Sequence, residues 1–212
     1  MNGCVLFHVA SVTTTPEAIS KSSTMLQGPG FIFSHHTSVA AFAVPKAAYL
    51  AARKNASFGY IATSTLVMDT SIASSPRILL LQRAASDEDA NKWEPPGGAC
   101  DDDDETILHA AARELWEEAG LQATHIGGQV GDPYFFTLDD GKKVCQFNFA
   151  VSLSADSVIS SGVKLNPEEH QRFVWATESE VKARKADGVD LDFTRREVEL
   201  TVLLAFDHFR AK

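Results

Sequence analysis

Residues 97–121 combine a glycine turn, an acidic loop and an acidic amphipathic segment. Within this segment Glu114, Glu117 and Glu118 stand at positions i, i+3 and i+4, so a helix would project all three carboxylates from one face. Like charges at this spacing repel one another and weaken a helix unless a cation neutralises them. Mg²⁺ prefers carboxylate and water oxygens, so the spacing indicates a divalent-metal site carried by a helix.

The residues in front of this triplet support the same interpretation. Gly97 and Gly98 allow the backbone to approach a ligand closely, and carbonyl oxygens there are available to complete a metal shell. Glu105 and Arg113 are a little over two helical turns apart, so we expect an ion pair that fixes the loop against the helix. A solvated acidic face is the simpler alternative, but it explains neither the glycine turn nor Arg113.

This segment resembles the Nudix box of the Nudix hydrolases, written G-x5-E-x7-R-E-U-x-E-E-x-G-U, where U is a bulky apolar residue. From Glu105 onward every defined position matches, ending in the run Arg113-Glu114-Leu115-Trp116-Glu117-Glu118-Ala119-Gly120-Leu121. The start departs from the pattern, because six residues rather than five separate Gly98 from Glu105, and the extra residue falls in the Asp-rich loop. Residues 169–178 resemble the end of the family's sheet, and the whole chain looks most like fungal members.

The resemblance implies a Nudix-type pyrophosphohydrolase. Its reaction would be metal-dependent hydrolysis of a diphosphate linkage in a nucleoside diphosphate derivative, such as an ADP-ribose-like compound, with water attacking phosphorus. It implies Mg²⁺ or Mn²⁺ as cofactor, held by Glu114, Glu117, Glu118 and the Gly98 carbonyl. The residues implied to be catalytic are Glu105, Arg113, Glu114, Glu117 and Glu169.

Each implied catalytic residue has a separate role. Arg113 orients Glu114 or Glu117, and Glu105 holds Arg113. The general base is either a box glutamate or an acid of a later loop, Glu168 or Glu169. Asp101 to Asp104 are interpreted as the loop and the helix start, where acidic side chains favour the positive helix end.

Three residues are candidates for substrate binding. Arg83 closes a predicted strand and is expected to reach the phosphates, while Phe135 and Phe147 are candidates to stack on a base. Aromatic side chains in strands more often pack in the core, so that alternative stays open for both phenylalanines. His35, His36 and His170 lack neighbouring metal ligands in the sequence and are interpreted as structural or surface residues.

Two other functions remain open at this point. One is a Nudix-fold enzyme acting on a non-nucleotide substrate, either a prenyl diphosphate or a non-hydrolytic step in a biosynthetic pathway. The other is a non-catalytic ligand-binding module. Such a module would be free to lose the box glutamates, and this chain keeps all of them.

The hydrophobic patterns predict a mixed α+β fold. They indicate strands at 59–69, 77–82, 134–138, 142–153 and 173–176, and helices at 44–52, 104–119 and 194–209. Asp103 or Asp104 is expected to cap the second helix, and Thr194 to Glu197 form a predicted capping box. The resemblance implies a mixed sheet sandwiched between helices (α/β/α). We expect residues 1–37 to be a flexible N-terminal extension and residues 38–212 a Nudix domain with its box at 98–121.

Charge and cysteine content narrow the partners and the compartment. Lys and Arg number 19 against 28 Asp and Glu, a net charge of −9 that argues against binding a nucleic-acid polymer. No apolar run approaches the roughly 20 residues of a membrane span. The three cysteines show no paired spacing, which favours a reducing compartment, with the cytoplasm expected and a mitochondrial leader as the weaker alternative. The resemblance implies a small-molecule diphosphate as the partner and also allows a homodimer.

Overall fold

A computed structural model describes residues 30–53, 56–153 and 162–211, so most of the predicted N-terminal extension lies outside the described residues. The strands are β1 (Ser34–His35), β2 (Tyr60–Asp69), β3 (Arg77–Arg83), β4 (Trp93–Glu94), β5 (Gly97–Ala99), β6 (Ala123–Gln129), β7 (Tyr134–Thr137), β8 (Lys143–Leu153), β9 (His170–Thr177), β10 (Lys185–Ala186) and β11 (Val189–Asp190). The helices are a 3₁₀ helix (Thr37–Phe42), α1 (Lys46–Ala51), α2 (Ile107–Ala119), α3 (Glu178–Ala183) and α4 (Arg196–Arg210).

The two longest strands, β2 and β8, form the parallel centre of a mixed sheet, paired from Tyr60 with Val144 to Val67 with Val151. On the far side of β8 lie β7 and β6, both antiparallel to it. On the far side of β2, β5 pairs with its first half and β3 with its last residues. β9 extends the sheet beyond β3. The predicted α+β class with a mixed sheet between helices is confirmed.

The two faces of the sheet bury different cores, because successive strand residues point to opposite sides. On one face Phe147 and Phe149 of β8 pack with Ile107 and Leu115 of α2. On the other face Ala150 of β8 belongs to a second core with apolar side chains of α4. Burial of each large apolar side chain contributes about 1.5–3 kcal/mol, so the two cores hold α2 and α4 against opposite faces.

The ends of two helices differ from the prediction. Helix α2 is capped by Thr106, whose side chain accepts from the backbone N–H of His109, rather than by Asp103 or Asp104. Helix α4 begins after Arg195 with no side-chain cap, so the capping box predicted at its start was wrong. A capping box forms instead at the start of α3, where Thr177 and Glu180 each bond the other's backbone.

Several short elements were not predicted, because they lack a hydrophobic period long enough to detect. They include β4, β5, α3 and the glycine-containing strand β6. β1 pairs in parallel with β6, Ser34 opposite His125, so the sheet includes residues ahead of the predicted boundary at 38. In the part of the chain that the structure describes, no helix is long and apolar enough to cross a bilayer.

Candidate active site

The glycine strand β5 brings the backbone against the acidic face of α2. The N–H of Gly97 donates to Oε2 of Glu118 at 2.8 Å. A Cβ atom added at Gly98 would lie 2.8 Å from the carboxylate of Glu114, too close for any side chain. Pairing of β5 with Ala62 to Ser64 of β2 fixes this approach. The two glycines are therefore required for different reasons: the Glu114 carboxylate occupies the space next to Gly98, and a Cβ atom at Gly97 would lie 2.2 Å from the carbonyl oxygen of Thr63 on β2.

Arg113 crosslinks the acidic face of α2 to the loop in front of it. Its Nη1 donates to Oε1 of Glu114 at 2.8 Å and to Oε2 of Glu117 at 2.9 Å. Its Nη2 donates to the carbonyl oxygen of Ala99 at 2.9 Å. Arg113 therefore contacts both glutamates that the resemblance implies it orients.

The predicted ion pair between Glu105 and Arg113 was wrong. Asp104 receives the guanidinium instead, with Nε to Oδ1 at 2.9 Å and Nη2 to Oδ2 at 2.8 Å, and its side chain is 6% exposed. Glu105 lies outside the helix, ahead of the Thr106 cap. Its carboxylate is 79% exposed and contacts Nε2 of His109 at 2.9 Å. Asp104 follows Gly98 at the five-residue spacing of the motif, so the extra residue lies between Asp104 and Arg113.

The buried carboxylates of α2 hold their protons unusually strongly. Burial raises the pKa of Glu114 to about 7, with Arg113 opposing the rise and Glu117 and Glu169 adding to it. Burial and then the charge of Glu114 raise the pKa of Glu118 well above its ordinary value, while the Gly97 N–H opposes that rise. One guanidinium is therefore too little positive charge to keep this cluster ionised at neutral pH.

The loop before β9 adds two more side chains to this cluster. Donor atoms of Glu118, Glu169 and His170 all lie within 4.8 Å of one another. Asn166 holds Glu169 in place, its Nδ2 donating to Oε1 at 3.0 Å. Of the two later acids considered as general base, Glu169 reaches the helix glutamates. Glu168 is an exposed residue whose backbone N–H bonds Asn166.

A cleft of about 310 Å³ opens beside the glycine strand on the α4 side of the sheet. Its wall includes Gly98, Tyr134, Phe136 and Arg195, with the Arg195 guanidinium 4.3 Å from the centre of the Phe136 ring. This volume is in the range of small-molecule sites, about 300–1,000 Å³. The cleft thus places an aromatic ring and a cation next to the backbone that packs on the acidic helix.

Two of the predicted substrate-binding residues lie on the side of the sheet opposite the cleft. Phe147 is buried in the α2-side core against Phe42 and Tyr49, and Phe135 is 57% exposed and packs on Phe58. Because strand residues alternate, their neighbours face the cleft instead, and the aromatic side chains of Tyr134 and Phe136 on β7 line it.

Arg83 does line the cleft, as its predicted role requires. Its guanidinium is already paired with Asp87, at 2.6 Å from Oδ2, and with Glu94. Any phosphate contact by Arg83 would therefore share the guanidinium with these two carboxylates.

Three buried polar atoms of residues lining the cleft have no hydrogen-bond partner among the described residues: Oγ1 of Thr63, Nδ2 of Asn148 and Oγ1 of Thr194. The amide orientation of Asn148 follows from the Ser64 hydroxyl, which donates to its Oδ1 at 2.7 Å. An unpaired buried donor costs about 1–3 kcal/mol, so a water or a bound molecule is needed to supply the missing acceptor.

A model of the NUDIX domain matches residues 62–196, well over half of the chain and all of the elements that form this site. The chain belongs to the NUDIX family. Membership confirms the predicted family and the assignment as a Nudix-type pyrophosphohydrolase. No curated protein sequence matches the chain.

Solved structures share the Nudix fold at low sequence identity. The MutT protein of Methanosarcina mazei Go1 is 24% identical, with a TM-score of 0.52, over 72% of this chain and 96% of that one. The NUDIX domain of Shewanella oneidensis NrtR, solved with ADP ribose, is 16% identical with a TM-score of 0.52, over 77% and 97% of the two chains. A MutT NUDIX hydrolase from Burkholderia pseudomallei is 16% identical with a TM-score of 0.50, over 68% and 95%.

The donor set of this Nudix site fits a divalent cation. Buried Glu114 and Glu118 provide hard oxygen ligands, and their raised pKa values show charge that the chain itself leaves uncompensated. Glu117 lies on the same face, half exposed and tied to Arg113. Sequence reasoning missed Asp104, Phe136 and His170. For Asp104 a signal existed, since it stands at the motif's own spacing from Gly98.

Proposed function

We propose that this Nudix enzyme hydrolyses the diphosphate linkage of a nucleoside diphosphate derivative with Mg²⁺ or Mn²⁺ as cofactor. The observation that carries the proposal is the pair of buried glutamates, Glu114 and Glu118, against the glycine strand. A charge this poorly compensated in the protein interior is costly unless a cation joins it.

Four groups would hold the cation: the carboxylates of Glu114, Glu117 and Glu118 and the carbonyl oxygen of Gly98. A bound divalent cation neutralises diphosphate oxygens and lowers the pKa of coordinated water. Arg113 keeps Glu114 and Glu117 oriented through the two bonds from its Nη1. Asp104 takes the role implied for Glu105, because it holds both Nε and Nη2 of the guanidinium.

Glu169 is the residue that we assign as general base. It lies in the exposed loop before β9, where an incoming water is accessible, and its donor atom is within 4.8 Å of one on Glu118. The bond from Asn166 fixes one carboxylate oxygen and leaves the other to accept a proton from the attacking water.

The cleft supports a nucleoside derivative as the substrate. Phe136 offers a face for a planar base, and the donors Asn148 Nδ2 and Thr194 Oγ1 match the acceptor atoms of a base or a ribose. Arg83 and Arg195 lie at the same cleft to attract phosphates. A structural neighbour was solved with ADP ribose, which supports an ADP-ribose-like compound as the first substrate to test.

The same proposal extends to partners and compartment. A net charge of −9 disfavours a nucleic-acid polymer, so the ligand is a small diphosphate. Cys100 and Cys145 are both free and buried, which is consistent with a reducing compartment such as the cytoplasm.

The test is a hydrolysis panel of ADP-ribose, other nucleoside diphosphate derivatives and prenyl diphosphates, with Mg²⁺, with Mn²⁺ and with chelator. Products are identified by mass spectrometry for the wild type, for Glu117→Gln and for Glu178→Gln, a glutamate of α3 outside the site. We expect metal-dependent cleavage of a nucleotide that Glu117→Gln abolishes and Glu178→Gln retains. Turnover that survives the chelator, or cleavage of prenyl diphosphates alone, would overturn the proposal.

A further inference from the structure

His170 is the most deeply buried polar side chain next to the proposed metal site. It is 1% exposed, and neither ring nitrogen has a hydrogen-bond partner among the described residues. Buried imidazoles ordinarily satisfy at least one nitrogen, because an unpaired polar atom in the interior is costly. Two unpaired nitrogens on one buried ring therefore indicate a missing partner.

The surroundings of the ring identify the chemistry of that partner. A nitrogen of His170 and one oxygen each of Glu118 and Glu169 lie within 4.8 Å of one another. Ligand atoms at about 2.0–2.3 Å from one cation are separated by roughly 3–4.5 Å, so His170 and Glu118 can share one ion after a small adjustment, with Glu169 beside them as the base. The three groups come from α2 and from the start of β9, elements that the sheet holds in place.

We propose that His170 is a metal ligand, so that this site adds an imidazole nitrogen to the carboxylate oxygens of α2, with Glu118 nearest to it, and favours a transition-metal ion over Mg²⁺. The inference rests on the proposed metal-dependent function and adds the class of cation. Mg²⁺ takes oxygen ligands almost exclusively, whereas imidazole suits later first-row divalent ions. Along that series affinity for a given site rises from Mn²⁺ to Co²⁺ and beyond.

The competing explanation makes His170 a cation that balances nearby carboxylates. Its Nε2 lies 3.9 Å from Oε1 of Glu94, beyond hydrogen-bond distance. Glu94 already has a charged partner, since Arg83 donates to the same oxygen. The two explanations predict opposite changes in metal affinity when His170 is replaced. Removing a ligand weakens metal binding, whereas removing a nearby positive charge strengthens the binding of every divalent cation.

The experiment measures Co²⁺ and Mg²⁺ affinity by isothermal titration calorimetry, without substrate, for wild type, His170→Gln and His125→Gln. His125 lies on β6 and bonds Ser34, outside the cluster, so its variant is the matched control. We expect His170→Gln to weaken Co²⁺ binding by about tenfold or more and to change Mg²⁺ binding by less than about threefold. The control should match the wild type.

Equal losses for both ions, or tighter binding of both by His170→Gln, would overturn the inference. Because His170 is buried, its variant could fail to fold. In that case the test is made on the wild type, by ¹⁵N NMR of the histidine rings during titration with Zn²⁺. A large shift of a His170 ring nitrogen supports ligation, and an unchanged one refutes it. This inference and the proposed function can fail independently. If the wild type shows Mg²⁺-dependent turnover that Glu117→Gln abolishes, the proposed function is supported even when His170 proves not to be a ligand.

Discussion

Glu114 on α2 and Glu178 on α3 are chemically identical side chains in opposite surroundings. Burial raises the pKa of Glu114 to about 7. Hydrogen bonds from Arg210 and Lys182 lower the pKa of Glu178 to about 2. Glu178 has two cations at the surface: Lys182, whose Nζ lies 2.6 Å from its Oε1, and Arg210, which also pairs with Asp207. Glu114 shares one guanidinium with Asp104 and Glu117 in the interior.

The difference shows in which part of the molecule the carboxylate charges are balanced by neighbouring cations. On the α3–α4 surface the charges balance within the chain. Beside the acidic face of α2 a single arginine serves four carboxylates, those of Asp101, Asp104, Glu114 and Glu117. Among the described residues, Glu118 accepts one hydrogen bond, from the N–H of Gly97. A bound cation would supply the balance that this buried negative charge lacks, which is the reason that we propose α2 as the functional region.

The largest expected effect comes from removing one of the buried charges. Glu118→Gln should lower kcat/KM by about 1,000-fold, because losing about 4 kcal/mol of metal-based stabilisation corresponds to that factor. The metal-free variant should nevertheless unfold at a higher temperature than the wild type, since a buried uncompensated carboxylate is gone. Steady-state kinetics and thermal unfolding with chelator measure the two effects. If Glu118→Gln lost activity and also unfolded at a lower temperature than the wild type, the buried charge on α2 would not be the unbalanced one.

The pH dependence of stability should separate the two regions next. The folded pKa of Glu114, about 7, exceeds the ordinary glutamate value of 4.5, so between these two pH values the folded state holds a proton that the unfolded state has lost. Stability of the metal-free protein therefore falls as pH rises through that window, by up to about 3 kcal/mol at about 1.4 kcal/mol per pKa unit.

Urea unfolding of wild type and Glu114→Gln between pH 4.5 and 8, with chelator, measures this effect as the difference between the two curves. Arg113, Glu117 and Glu169 face the same carboxylate and are unchanged in both proteins. Glu178 should behave in the opposite way. Its folded pKa is about 2, so its contribution is present above pH 4.5 and is lost as pH falls toward 2. Parallel curves for wild type and Glu114→Gln would show that the helix is balanced without a cation.

Asp104→Asn should have an intermediate effect. Asp104 touches no proposed ligand directly and acts through Arg113, so its loss should lower both kcat/KM and Mn²⁺ affinity by about 10- to 100-fold. The adjacent Glu105→Gln, whose carboxylate is exposed, is the matched control and should change both by less than about threefold. Mn²⁺ affinity is measured by electron paramagnetic resonance. Equal effects of the two variants would restore Glu105 to the role that the motif implies.

The smallest effect is expected at the α3–α4 surface. Glu178→Gln removes ion pairs with Lys182 and Arg210, and exposed pairs contribute about 0.2–1 kcal/mol each. Urea unfolding at pH 7 should show a loss in that range, and the loss should shrink in high salt. A loss above about 3 kcal/mol would mean that this surface is as coupled to the core as the acidic helix is.

The amino-acid sequence alone determined the family, the α+β class, and the acidic and apolar faces of helix α2. These features depend on residues close together in the chain: the i, i+3, i+4 glutamates of α2, its apolar face, and the alternating strand that became β8. Local spacing encodes them because helices and strands repeat every few residues.

Only the tertiary structure decided which side chains meet. Asp104 rather than Glu105 holds Arg113, because the Asp104 side chain is turned inward and 6% exposed, whereas the Glu105 carboxylate is 79% exposed and contacts His109. Phe136 rather than Phe135 faces the cleft because successive side chains of a strand point to opposite faces of the sheet, and the β7–β8 pairing decides which of the two faces the cleft. His170 joins Glu118 through the packing of β9 and α2, elements far apart in the sequence. The contacts of Phe136 and His170 depend on long-range geometry and no local pattern in the sequence records them, whereas the spacing of Asp104 from Gly98 is present in the motif.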